Sequence, residues 1–253
     1  MSDVILRGTG VTKHFGALRA VTDIDFEVRR GEILGIIGPN GAGKTTFLSL
    51  INGTLSLTRG VIFFKDRKIS GLKPYQIAER GVSRTFQVVK PFPGMSVLEN
   101  VSIGALFGKD NIKDAAQARK KTRSILARVN LDGKEDLPVE NLNISERKRL
   151  ELARALAMDP ELLLLDEVMA GLNSAEVESI MQLIIELNME GRTILVIEHV
   201  MKAIMGVSHR VMVLHHGEKI AEGEPALVTS DERVISAYLG ERYAKMRKKD
   251  AQD

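Results

Sequence analysis

The chain has 253 residues, with 36 Lys+Arg against 33 Asp+Glu, 44% apolar residues, 4% aromatics, no Trp and no Cys. That length suffices to bury about three quarters of the unfolded surface, and apolar residues with charges spread between them exclude a disordered type. The lack of Cys excludes disulfides, thiolate metal sites and a Cys nucleophile.

Along the chain, short β-like runs at residues 4–7 and 24–28, separated by polar breaks, predict a small antiparallel element. Residues 33–37 (ILGII) read as a buried strand that ends in a glycine-rich turn, and residues 47–51 follow at helical spacing. Residues 61–69 look like a further β-hairpin arm. From about 88 to 157 the character changes: Pro91-Phe92-Pro93-Gly94 breaks the chain, then Ala115, Ala118, Ile125, Leu126 and Val129 recur at helical spacing, which predicts an all-helical insertion. After 160, strands at 162–165, 193–197 and 210–214 alternate with a helix whose face carries Val177, Ile180, Met181, Ile184 and Leu187. Such alternation implies an α/β fold with a mostly parallel sheet. Residues 241–253 form a charged tail that is expected to fray.

No apolar run reaches the roughly 18–20 residues of a membrane-spanning helix, and the first residues lack the pattern of a secretory signal. The surplus of +3 with so few aromatics decides nothing by itself about nucleic acid; it is with the motifs below that no nucleic-acid partner is expected. Basic clusters at 119–123, 147–149 and 242–249 read as solvated helix faces.

Gly38-Pro39-Asn40-Gly41-Ala42-Gly43-Lys44-Thr45 fits G-x-x-x-x-G-K-[ST] between a strand and a helix, with Thr46 next in line. Glycines let successive backbone N–H groups turn around phosphate oxygens, and the helix start adds partial positive charge. Lys44 would neutralise the β- and γ-phosphates, and the Thr45 hydroxyl would join a Mg²⁺ shell. Four fixed positions match by chance in about one such chain in 100. A phosphate loop needs a metal partner, and Leu162-Leu163-Leu164-Leu165-Asp166-Glu167 supplies carboxylates at a strand's C-terminal end, where ligands sit in open α/β sheets. Asp166 would hold Mg²⁺ through water, and Glu167 would polarise an attacking water. His199 ends another strand and is assigned to the γ-phosphate. Gln87, where the helical insertion joins the core, reads from sequence alone as a polar linker residue.

In order, these motifs resemble the ATPase subunit of an ABC transporter over nearly the whole chain. His14-Phe15-Gly16-Ala17-Leu18-Arg19-Ala20-Val21, Arg84-Thr85-Phe86-Gln87, Ala170-Gly171-Leu172-Asn173, Gly217-Glu218-Lys219-Ile220-Ala221-Glu222-Gly223 and Ala237-Tyr238-Leu239-Gly240-Glu241 are similar to the subunits of branched-chain amino-acid importers. The resemblance implies one ATPase domain over 1–253: a RecA-like P-loop NTPase core, an N-terminal antiparallel β subdomain and the helical subdomain inserted at about 88–157. It implies that Phe15 stacks on adenine, that Gln87 reaches Mg²⁺ and the attacking water, and that Asn173 lies in the loop crossing to a second protomer. Two transmembrane permease subunits, a second ATPase subunit and, indirectly, a solute-binding protein follow as partners, with the chain peripheral on the cytoplasmic face of the plasma membrane.

One departure stands out. Where the family carries Leu-Ser-Gly-Gly-Gln or close to it, this chain has Leu142-Asn143-Ile144-Ser145-Glu146. Asn143 and Glu146 can form a helix-capping box, but Ser145 adds a Cβ and Glu146 a negative charge where the partner's ATP is expected. The altered signature favours a heterodimer with a related ATPase over a homodimer, and asymmetric ATP sites. Val168, where Pro is usual, is a lesser departure. Rival readings are the ATPase of a lipopolysaccharide-type exporter, a catalytically weak regulatory subunit, and a soluble ATPase acting on nucleic acid.

Overall fold

A computed structural model describes residues 3–87 and 90–239. The elements are β1 (Val4–Phe15), β2 (Leu18–Arg29), β3 (Ile33–Ile37), α1 (Lys44–Ile51), β4 (Arg59–Phe64), β5 (Arg67–Lys68), α2 (Pro74–Ala78), β6 (Val82–Arg84), α3 (Val97–Phe107) and α4 (Ala115–Arg128). After a 3₁₀ turn at Val139–Asn141 come α5 (Ile144–Ala157), β7 (Leu162–Asp166), α6 (Ser174–Met189), β8 (Thr193–Ile197), α7 (Met201–Val207), β9 (Arg210–His215), β10 (Glu218–Gly223), α8 (Pro225–Ser230) and α9 (Glu232–Leu239). They fall into two compact units, one from the described residues up to Gly71 with those from Val196 onward, the other Leu72–Leu195.

In the first unit β1, β2, β4 and β5 form an antiparallel sheet in the order β2-β1-β4-β5. Alternation explains it: along β2, Ile24, Phe26 and Val28 are buried while the residues between them are not. By contrast β3 is buried at every position, as a strand covered on both faces must be, and pairs in parallel with β9, Leu34 opposite Arg210 and Ile37 opposite Val213. Strands β9 and β10 form an antiparallel hairpin. Helix α1 buries Phe47, whose ring meets Phe26 edge-on at 4.7 Å, a pair worth about 0.5–1.5 kcal/mol beyond its buried area.

In the second unit β6 and β7 pair in parallel, Val82 opposite Leu162 and Arg84 opposite Leu164. Leu162–Leu165 are fully buried, as their unbroken apolar run requires. Between 97 and 157 the regular elements are all helical. Three helices open on the same reciprocal cap: Ser96 with Glu99 at α3, Asn143 with Glu146 at α5, and Asn173 with Glu176 at α6. Each satisfies two orphan backbone donors and is worth about 1 kcal/mol. A Cβ on Gly104 of α3 would lie 2.7 Å from the Arg154 carbonyl of α5, so close packing of these helices needs glycine there.

Several short elements escape periodicity altogether, among them β6, β10, α2 and α7–α9, because three to eight residues define no period. The cluster at 119–123 is largely a solvated face, with Arg119, Lys120 and Arg123 exposed and Lys121 bonded to Asp110 at 2.8 Å. The cluster at 147–149 is not, and the solvated-face reading is corrected there. Arg147 donates to the Leu142 and Glu140 carbonyls, Lys148 to Glu167 and Arg149 to Val129, since α5 packs within its unit rather than lying on the surface. The charged tail at 241–253 and the cluster at 242–249 lie outside the described residues. Among the described residues no helix is long and apolar enough to cross a membrane.

Candidate functional site

The glycine-rich loop joins β3 to α1 within the first unit. Gly38, Gly41 and Gly43 have φ of 151°, 79° and 100°. Two of them tolerate no side chain: a Cβ on Gly38 would sit 2.1 Å from the Leu214 carbonyl oxygen, and one on Gly43 would sit 2.3 Å from that of Ala20. Around Gly41 the same test meets nothing within 4 Å. The loop is therefore held tightly on its flanks and open at its crown. Gly43 occupies the N-cap of α1 and offers no side-chain oxygen to the helix's first amides. Those amides and the positive end of the helix dipole call for an anion.

Lys44 is buried, and its Nζ donates to the carbonyls of Gly38 at 2.7 Å and Pro39 at 3.0 Å, so the ammonium lies inside the loop's curve. Ala42 is buried and braced on both sides, its N–H donating to Pro39 and its carbonyl accepting from Gly217. Asn40 and Thr45 are exposed, and Pro39 and Thr46 are half-buried. Phe15, at the end of β1, would pass for a core residue by sequence alone. It is instead 45% exposed, with the Lys13 Nζ 4.9 Å from its ring centroid, which leaves ring surface for a planar ligand. His199 is exposed, just past the end of β8. Sequence reasoning missed Tyr238 on α9: burial pushes its hydroxyl upward in pKa, opposed by a hydrogen bond donated from the Gly38 N–H. Its place in the quoted run 237–241 was the available signal.

The second unit assembles the carboxylates. Strand β7 ends on Asp166, whose side chain is 0% exposed. Its Oδ2 accepts from Arg84 Nη2 at 2.7 Å, and Arg84 is itself only 4% exposed. The Asp166 backbone N–H donates to Thr85 Oγ1 at 3.1 Å. Neither Arg84 nor Thr85 was singled out from the sequence as a partner of Asp166. Asp166 Oδ1 is buried and accepts no hydrogen bond among the described residues.

Glu167 follows with φ of 54°, left-handed and unusual for a residue with a side chain, at a cost of about 1–3 kcal/mol. Gln87 is no mere linker residue: its Nε2 donates to Glu167 Oε2 at 2.8 Å. Lys148 Nζ donates to the Glu167 carbonyl at 2.9 Å. Thus Gln87, Asp166 and Glu167, scattered over eighty positions, come together beside the β6–β7 edge.

The residues assigned from the sequence to the signature open α5 in the same unit. Asn143 is the N-cap, its Oδ1 accepting from Glu146 N–H and its N–H donating to Glu146 Oε2, both at 2.9 Å. Glu146 is further paired with Lys134, and that hydrogen bond, with the Asn143 N–H, holds its carboxyl below the usual range. Its charge is thereby compensated inside the protomer. Ser145 is half-buried and donates to Glu176, the carboxylate that caps α6, while Ile144 is exposed.

Candidate cation ligands are the Thr45 hydroxyl in the first unit and, separately, the Gln87 amide oxygen and Asp166 Oδ1 in the second. An all-oxygen set suits Mg²⁺. Among the described residues no group of three or more His, Asp or Glu side chains could hold a metal ion.

Residues 21–170 match the family model described as ABC transporter, and residues 218–244 match that of the branched-chain amino acid ATP-binding cassette transporter. The chain is 39% identical to the high-affinity branched-chain amino acid transport ATP-binding protein LivG of Salmonella typhimurium over 95% of its length and 100% of the relative's. It is 36% identical to BraF of Pseudomonas aeruginosa, with the same coverage. Among solved structures, an ATP-binding cassette of an ABC transporter in its ADP conformation superposes with a TM-score of 0.84 at 31% identity, covering 95% of this chain and all of the other.

Proposed function

Because this chain belongs to the ABC transporter family, we propose that it is the ATP-hydrolysing subunit that energises import of branched-chain amino acids or related small solutes. The observation that carries the catalytic part is Glu167, a carboxylate in a left-handed turn at the end of a buried strand, bonded by Gln87. The relatives' names and the match over 218–244 support the solute class.

In this reading the loop amides and Lys44 bind the β- and γ-phosphates, with Gly38 to Thr46 forming the cradle and Phe15 stacking on adenine. Thr45, Gln87 and, through water, Asp166 would hold Mg²⁺, which would supply charge withdrawal from the phosphate oxygens. Glu167 accepts a hydrogen bond from the attacking water, and Gln87 orients both. The water oxygen forms a bond to the γ-phosphorus as the bond to the β–γ bridging oxygen breaks, giving ADP and inorganic phosphate. His199 contacts the γ-phosphate. The chain works on the cytoplasmic face of the membrane with two permease subunits, a second ATPase subunit and, indirectly, a solute-binding protein. The helical subdomain at about 88–157 acts as the part inserted into the ATPase core.

Asn143, Ile144, Ser145 and Glu146 would face the partner's ATP. Ser145 keeps its Cβ even though Glu146 is turned into the cap, and this supports a heterodimer whose two ATP sites differ. If the purified chain alone hydrolyses ATP as fast as any mixture with a related ATPase, the asymmetry is wrong. For the main reading, Glu167→Gln is expected to retain ATP and slow hydrolysis by about 10²–10⁴-fold. Unchanged turnover would refute Glu167's role, and leucine uptake unaffected by that variant in proteoliposomes with the permeases would refute the coupling.

A further inference from the structure

The run Arg147-Lys148-Arg149 on α5 sends its cations to different backbone carbonyls. Arg147 Nε binds Leu142 O at 2.9 Å and its Nη2 binds Glu140 O at 2.9 Å, which fastens the turn entering the helix. Arg149 Nη1 binds Val129 O at 3.1 Å, which fastens the helix to the end of α4. Lys148 Nζ reaches Glu167 O at 2.9 Å. The residue it grips is the one non-glycine residue in this turn with a left-handed backbone, φ 54°. A residue with a Cβ stays in that region only where its surroundings over-determine it. Within the turn itself, the Ala170 N–H donates to the same carbonyl at a long 3.4 Å, too weak a bond to hold the conformation unaided. A charge-assisted bond from an ammonium is the stronger restraint.

The backbone conformation of Glu167 decides where its carboxylate goes. Were φ to relax to a negative value, the Cα–Cβ bond would swing and the 2.8 Å bond from Gln87 Nε2 to Oε2 would be lost. Lys148 lies on the fifth residue of α5, one turn beyond the cap made by Asn143 and Glu146. It therefore ties the catalytic turn to the frame of a helix whose first residues are the altered signature.

We propose that Lys148 is a positioning residue for ATP hydrolysis, holding the Glu167 carbonyl so that the strained turn keeps its carboxylate aimed. This rests on the reading of Glu167 as the group that polarises the attacking water. Lys148 acts through Glu167, whose carbonyl its ammonium grips.

The test uses the full chain, co-purified with its partner subunits, with Lys148→Met, Lys148→Gln and Lys148→Arg variants. Lys148→Met is expected to lower kcat by about 10- to 100-fold while KM and the Kd for ATP stay within about twofold, because misaim costs the reaction and not the binding. Lys148→Arg, which keeps a cationic donor, should restore most of the rate. In the Glu167→Gln background, Lys148→Met should slow the residual hydrolysis little further, as expected of residues acting as one unit. Amide hydrogen exchange in residues 166–172, measured without nucleotide, should quicken in Lys148→Met and Lys148→Gln but not in Lys148→Arg. Retained ATP affinity guards against misfolding. Wild-type kcat in Lys148→Met, unchanged exchange in the turn, or the same fold loss with and without Glu167 each overturns the proposal. A Glu167→Gln variant that hydrolyses ATP at the normal rate instead removes the catalytic reading on which it rests, whatever Lys148 does to exchange.

Discussion

Replacing Arg84 by Met removes the cation from an ion pair whose members are 4% and 0% exposed and 2.7 Å apart. At such a site the Coulombic attraction between the partners offsets the cost of taking both ions out of water. Removing one partner leaves the other charge buried, at a cost of about 3–5 kcal/mol. Met matches the length of the Arg stem, so lost packing contributes little. With a urea m-value of about 3 kcal/mol/M, the unfolding midpoint should fall by about 1–1.7 M. The Arg84→Met/Asp166→Asn double variant removes both charges and should recover most of that loss, because the penalty belongs to the uncompensated carboxylate rather than to the missing bond. Urea unfolding followed by circular dichroism, at one pH and salt concentration, measures both. A single variant within about 1 kcal/mol of wild type, or a double variant as unstable as the single, would refute the reasoning.

Gly43→Ala forces a Cβ to 2.3 Å from the Ala20 carbonyl at φ of 100°. A stability loss of about 1–3 kcal/mol and at least about tenfold weaker ATP binding, by titration with a fluorescent nucleotide, are expected because the loop must move. Glu146 is held below the usual carboxylate range by Lys134 and the Asn143 N–H. A depressed folded-state pKa contributes stability above the usual value and loses it as pH falls through the depressed one. The melting-temperature gap between wild type and Glu146→Gln should thus be constant above about pH 5 and shrink under acid; a gap independent of pH from 7 to 3 contradicts it. Ser145→Gly removes the hydroxyl bonded to Glu176. It should cost about 1–2 kcal/mol in stability and raise ATP turnover in the assembled complex, and an unchanged rate would count against a signature weakened by Ser145.

The residues by themselves were enough for the longer runs and motifs carried by neighbours in the chain. Strand β3, the glycine loop and the start of α1 are contiguous, and each is specified locally: an unbroken apolar run, glycines at positive φ, then helical spacing. Leu162–Leu165 with Asp166 and Glu167 is legible for the same reason, as is the Asn143–Glu146 cap, whose members are three residues apart. The deciding contacts of the carboxylate turn are of another kind. Arg84 and Asp166 are 82 positions apart, Gln87 and Glu167 are 80 apart, and neither pair follows any periodicity. They meet because β6 lies parallel to β7 in a register that sets Arg84 opposite Leu164, so that the residues leaving the two strands emerge side by side. Lys148 reached Glu167 by packing of α5, although its composition alone described an ordinary basic, solvated face. Backbone hydrogen bonding within a segment is written in that segment; which side chain compensates a buried charge or holds a strained turn depends on how distant segments pack, and only tertiary structure decided it.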